Sequence, residues 1–177
     1  IGGVETLGEG TEELFPLGLK GADVGTREKA AEKIDGVRDW MEANGVPHKS
    51  VIWSVFRASV EQVARELNTA YPTHAVRKFY GDQSPAEREE AKMLLAPGGV
   101  TTPAIVVGNV QSGGAGLNFA AANVAIYLTN SFSLKDRKQS EGRLDRPGQT
   151  QRVTFLDVIA VGPDGQKTID HHIVRSL

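Results

Sequence analysis

Residues 139–149 read Gln-Ser-Glu-Gly-Arg-Leu-Asp-Arg-Pro-Gly-Gln. Spacings of four and three place Gln139, Arg143 and Arg146 on one face of a predicted helix. Ser133, with Asp136 three residues on, is a capping-box start for that helix. Pro147-Gly148 ends it, because a residue before proline is pushed out of the helical region. The helix would then aim one amide and two guanidiniums at a single target. Paired guanidiniums suit phosphate oxygens, which they meet through parallel hydrogen bonds. Two arginines on a solvated face would do little by themselves, so the weight falls on what accompanies them.

The companion is a glycine-rich stretch upstream, Asn109-Val110-Gln111-Ser112-Gly113-Gly114-Ala115-Gly116-Leu117-Asn118-Phe119. It follows the apolar run Ala104–Val107, which reads as a buried strand. Small residues let the backbone approach a phosphate closely, with exposed amides turned toward it. The stretch is not a dinucleotide fingerprint, since Phe119 stands where the last glycine of Gly-x-Gly-x-x-Gly would fall. Nor is it a P-loop, because no Gly-Lys-Ser/Thr follows.

The rest of the chain alternates in type. A helix is predicted from about Thr26 to Asn44, with Ala30, Ile34, Val37, Trp40 and Met41 inward and Asn44-Gly45 as the stop. Strand candidates follow at Val51–Phe56, His74–Tyr80, Ala104–Val107, Val124–Leu128 and Val153–Ala160. Ser59 with Gln62, and Ser84-Pro85-Ala86-Glu87, are the predicted starts of intervening helices. Such alternation predicts an α/β domain with a mainly parallel sheet between helical layers, whose ligands lie at the carboxyl ends of the strands. Residues 1–25, dense in glycine, are expected to be a loop, a hairpin remnant or a severed linker, and residues 26–177 one lobe. The first residue is Ile1, so the chain reads as a processed product or a piece of a longer one.

Composition narrows the class. The 177 residues are 40% hydrophobic and 24% charged, ordinary for a globular domain with a real core. No run is apolar enough to span a membrane, and no secretory leader is evident. Cysteine is absent, which excludes disulfides and thiolate metal sites and fits a reducing compartment. His171-His172 point to different sides of a helix and are not expected to bind metal. The net charge of −2 means that any nucleic-acid contact is a local patch or is shared with another domain.

Gln139, Gly142, Arg143 and Arg146 resemble motif VI of superfamily-two helicases, and the Pro147-Gly148-Gln149 ending looks like the Swi/Snf-like branch. Gly113 to Asn118 resembles motif V of the same branch, and Val51 to Arg57 its motif IV strand. The resemblance covers about residues 26 to 175. It implies the second RecA-like lobe of an ATP-dependent DNA translocase or helicase. On that basis Arg143 and Arg146 would be arginine fingers, with Gln139, Gly114, Gly116 and Asn118 on the nucleotide side. Arg57, Asn109, Gln111, Ser112 and Gly113 would face nucleic acid, expected to be duplex DNA. In many members a Ser or Thr just before the glycines holds a nucleic-acid phosphate; Val110 stands there, leaving Asn109, Gln111 or Ser112 for that role. ATP with magnesium would be shared with a first lobe bearing the P-loop lysine and the magnesium-holding acids, neither of which occurs in these residues. The fragment alone is therefore expected to be inactive. It is expected to be soluble, in the cytoplasm of a bacterial or virus-infected cell or in a eukaryotic nucleus.

Two competing readings belong to other classes. A non-catalytic nucleic-acid-binding module with a helicase-lobe fold would lack a first lobe upstream. An unrelated nucleotide-binding α/β enzyme would leave Arg143 and Arg146 as surface residues.

Overall fold

The computed structural model describes residues 5–7, 12–18, 27–112, 117–161 and 165–177, with side chains from residue 31 onward. Seven strands form one sheet in the order β1-β2-β7-β6-β3-β5-β4. They are β1 (Glu5–Leu7), β2 (Glu12–Gly18), β3 (Lys49–Ser54), β4 (Ala75–Phe79), β5 (Ala104–Asn109), β6 (Val124–Tyr127) and β7 (Thr154–Val161). The five strands β7-β6-β3-β5-β4 are parallel throughout. Helices α1 (Arg27–Asn44), α2 (Arg57–Ala70), α3 (Pro85–Leu95), α4 (Leu134–Glu141) and α5 (Ile169–Ser176) connect or flank them.

The central strands are buried along their length, as continuous apolar runs between two helical layers should be. On one face, Ile34, Val37 and Met41 of α1 and Val60, Val63 and Leu67 of α2 pack on Ile52, Ile105, Val107 and Ile126. On the other, Ala91, Leu94 and Leu95 of α3 pack with Val51, Trp53, Val106, Phe119 and Tyr127. The predicted three-layer RecA-like architecture is the one observed. A buried pair, Lys33 to Asp170 at 2.7 Å, joins α1 to α5, and Lys33 also donates to the Leu128 carbonyl at 3.0 Å.

Three local expectations are corrected. Of the loop, hairpin remnant or severed linker expected at residues 1–25, the hairpin is what the described residues show, not a loop: β1 pairs antiparallel with β2, and β2 joins the sheet in parallel with β7. Glu12 to Leu17 contain no glycine, and β2 takes its place beside β7. Second, α2 is capped at Phe56, not Ser59. Ser54 already closes the turn by accepting from the Phe56 amide at 3.2 Å, and Ser59 is buried inside the helix.

The third correction concerns the helix carrying the arginines. It ends at Glu141, with Gly142 as its C-cap. Ser133 accepts from the Asp136 amide at 3.2 Å, as expected at the start. Beyond Gly142 the chain tightens: Arg143 donates to the Ser140 carbonyl and Leu144 to that of Glu141. Glycine is a poor helix former, and here its cost is enough to stop an eight-residue helix. Arg143 and Arg146 therefore lie on a turn, not on a helix face with Gln139.

Candidate nucleotide and nucleic-acid interface

The carboxyl ends of the strands are aligned by register: Ser54 lies beside Asn109, Trp53 beside Tyr127, and Phe79 beside Gly108. The turn after α4 and the segment that leads from β5 into β6 meet over Trp53 of β3. Three hydrogen bonds tie them. Arg146 Nη1 donates to the Leu117 carbonyl at 2.8 Å. The Phe119 amide donates to the Arg143 carbonyl at 2.8 Å. Gln149 Nε2 donates to the Ala122 carbonyl at 3.0 Å. The second turn, Arg146-Pro147-Gly148-Gln149, closes with the Gln149 amide on the Arg146 carbonyl at 2.9 Å. Gly148 sits there at φ +97°, with proline before it, the residue pair a type II turn requires.

The two arginines occupy different environments. Arg143 is 6% exposed, with its guanidinium 5.2 Å from the centre of the Trp53 ring. Burial lowers its pKa from the ordinary arginine value, with Tyr127 and Asp136 opposing. Trp53 is itself fixed: Phe119 stacks on it at 6.0 Å, and a Cβ on Gly108 would lie 2.8 Å from its ring. Arg146 is exposed, as is Gln139. Asn118 is also exposed, and its Oδ1 accepts from the Ala120 amide at 3.2 Å. Gly113, Gly114 and Gly116 lie outside the described residues.

The predicted nucleic-acid side lies at the same end of the sheet. Arg57 opens α2, pairs with Asp82 at 2.5 Å and lies 4.7 Å from the centre of the Tyr80 ring. Val110 is 7% exposed and belongs to the core, which is why no hydroxyl is offered at that position. Asn109 has both ends of its amide engaged: Nδ2 on the Val55 carbonyl at 3.0 Å and Oδ1 on the Gln111 amide at 2.9 Å. Ser112 accepts from the Gly81 amide at 3.1 Å, and its carbonyl accepts from Arg88 at 3.4 Å. Gln111 leaves its side chain exposed. Of the three polar candidates beside Val110, Asn109 and Ser112 are thus engaged within the fold, and Gln111 turns to the surface.

Among the described residues no three His, Cys, Asp or Glu side chains converge to hold a metal ion. No described helix is long and apolar enough to cross a membrane. Sequence reasoning missed Trp53, Leu117 and Gln149 as partners of the arginine turn. Only Gln149 left a trace, as part of the Pro-Gly-Gln ending.

Residues 32–148 match the model of the helicase conserved C-terminal domain, and the chain belongs to that family. Solved structures agree on the fold. The C-terminal part of the Fun30 ATPase domain superposes with a TM-score of 0.67 at 22% identity, covering 87% of this chain and 48% of that one. Domain 2 of the Mss116p DEAD-box helicase, bound to an RNA duplex, gives 0.61 at 12% identity, covering 82% and 54%. The chain thus spans about half the length of each. It is a helicase C-terminal domain with a RecA-like fold. No curated protein matches it.

Proposed function

We propose that this lobe is the second half of an ATP-driven motor of the Swi/Snf-like branch that moves on duplex DNA. A first RecA-like lobe of the same parent chain would supply the P-loop lysine and the acidic residues that hold magnesium. One observation carries the reading: the arginine turn is joined through Arg146 to Leu117, the residue that follows the glycines. A movement of the loop on nucleic acid would therefore be felt at the arginines, and the reverse.

In this scheme Arg146 reaches the γ-phosphate across the cleft between lobes. Its exposure leaves it free to exchange the Leu117 carbonyl for phosphate oxygens. Arg143, held on Trp53, adds a fixed positive charge behind it. A guanidinium so placed stabilises charge developing in phosphoryl transfer and is worth about three to five powers of ten in rate. Gln139, Gly114, Gly116 and Asn118 stay assigned to the nucleotide side. Arg57, Gln111, Ser112 and Gly113 stay assigned to the tracked strand, and Asn109 to shaping the loop from within.

In the motor containing both lobes, Arg146→Ala should lower ATP turnover by about a thousandfold or more. DNA affinity should change by less than about threefold, because a lost finger leaves the phosphate contacts to the strand in place. An equal fall in both would make Arg146 a nucleic-acid ligand and favour the non-catalytic binding module.

A further inference from the structure

Helix α4 carries the arginine turn but has almost no apolar surface with which to hold the sheet. Its eight residues, Leu-Lys-Asp-Arg-Lys-Gln-Ser-Glu, bury only Arg137 and Ser140, and Leu134 is 45% exposed. Docking is therefore polar. Arg137 is 5% exposed, and its guanidinium lies 3.7 Å from the centre of the Tyr127 ring. Nη1 meets Asp157 Oδ1 of β7 at 2.6 Å and Asn130 Oδ1 at 3.3 Å, while Nε meets Glu141 Oε1 at 2.7 Å. Ser140 donates to the Arg137 carbonyl at 2.7 Å, so the Tyr127 hydroxyl donates to Ser140 at 2.8 Å.

Apolar packing is non-directional and lets a short helix slide or roll. A planar guanidinium held by a carboxylate on one side and a ring face below does not. Glu141 is the last residue of α4, and Arg143 follows two residues later. Any roll of α4 would pass directly into the turn. We propose that Arg137 is a positioning residue: bound to Asp157, Asn130 and Tyr127, it fixes the rotation of α4 and hence where Arg143 and Arg146 stand. This role rests on the proposed work of those arginines at the nucleotide.

The test is a comparison in two backgrounds of the two-lobed motor. Arg137→Gln should lower kcat by about tenfold or more while the KM for ATP and DNA affinity move less than about twofold, since small misplacements of a reacting group are costly. Arg137→Lys keeps the charge without the fork, and should fall between the two. With Arg146→Ala already present, Arg137→Gln should lower turnover by less than about twofold more, because the arginine that reaches the phosphate is gone and Arg143 only adds charge behind it. The same loss in both backgrounds, or no loss of kcat in a folded Arg137→Gln protein, overturns the proposal. Should Arg137→Gln fail to fold, Arg137→Lys is carried through the same two backgrounds with the same criteria. If Arg146→Ala alone leaves turnover intact, the finger assignment falls and this role with it. If Arg146→Ala abolishes turnover while Arg137 variants do not alter it, only the positioning role falls.

Discussion

Arg57 shows how a single side chain can be poised for two partners. It is paired with Asp82 at 2.5 Å, yet both groups are more than half exposed, so the pair is weak and a phosphate can compete for the cation. Arg57→Ala should weaken DNA binding about equally for all sequences and lower the salt slope of the binding constant by about one. Titration at several salt concentrations checks this, and an unchanged slope would remove Arg57 from the track. Its neighbour Glu61 makes a separate prediction. Hydrogen bonds from Lys78 and Tyr80 hold its carboxyl below the ordinary 4.5. The folded pKa is depressed, so the stabilisation is complete above about 4.5 and is lost as pH falls through the lower folded value. Acid unfolding of Glu61→Gln should show a shallower decline in that window, measured by denaturant midpoints at stepped pH. At this scale the sequence was informative about residue type and weak about partners. Arg143 and Arg146 stand three apart in one motif, but nothing in their spacing announces that one lies buried on Trp53 and the other exposed beside Leu117.

Among the elements, long periodic ones were legible and short polar ones were not. The inward stripe of α1 and the Ser84–Glu87 capping box appear where their patterns place them. The buried strands do so within two residues at either end. Helix α4 has no apolar stripe to measure, so its end was set by Gly142, whose cost competes with only eight residues of helix. Strands β1 and β2 were obscured by surrounding glycines, because the partner that orders β2 is β7, some 140 residues away, counted roughly from the register. The turn after α4 yields a clean prediction. Gly148 sits at φ +97° with nothing within 4 Å of a built Cβ, so Gly148→Ala pays only for the backbone conformation. It should destabilise the lobe by about 1–2 kcal/mol, or roughly 2–8 °C in Tm for a domain of this size. A thermal melt that does not move would mean that the turn relaxes to another type.

At the scale of the whole molecule, the proposed motor places only half of a phosphoryl-transfer site on this lobe. The arginines and the glycine loop are present, while no P-loop occurs in the chain. The lobe alone should therefore show no ATP turnover above buffer, and turnover by a contaminant-free preparation would contradict the shared-site scheme. The fold class and the family were legible because two motifs about twenty residues apart, with a strand between them, constrain one another more than either does alone. The face proposed to meet DNA was less legible, since Val110 stands where a hydroxyl is expected and lies in the core. The most direct measurement is ATP turnover by the two-lobed motor, with and without duplex DNA, for the wild-type protein and Arg146→Ala. Strong stimulation by duplex that disappears in the variant is the predicted result. Turnover indifferent to both the duplex and the substitution would contradict a DNA-driven motor and leave the lobe as a fold without that function.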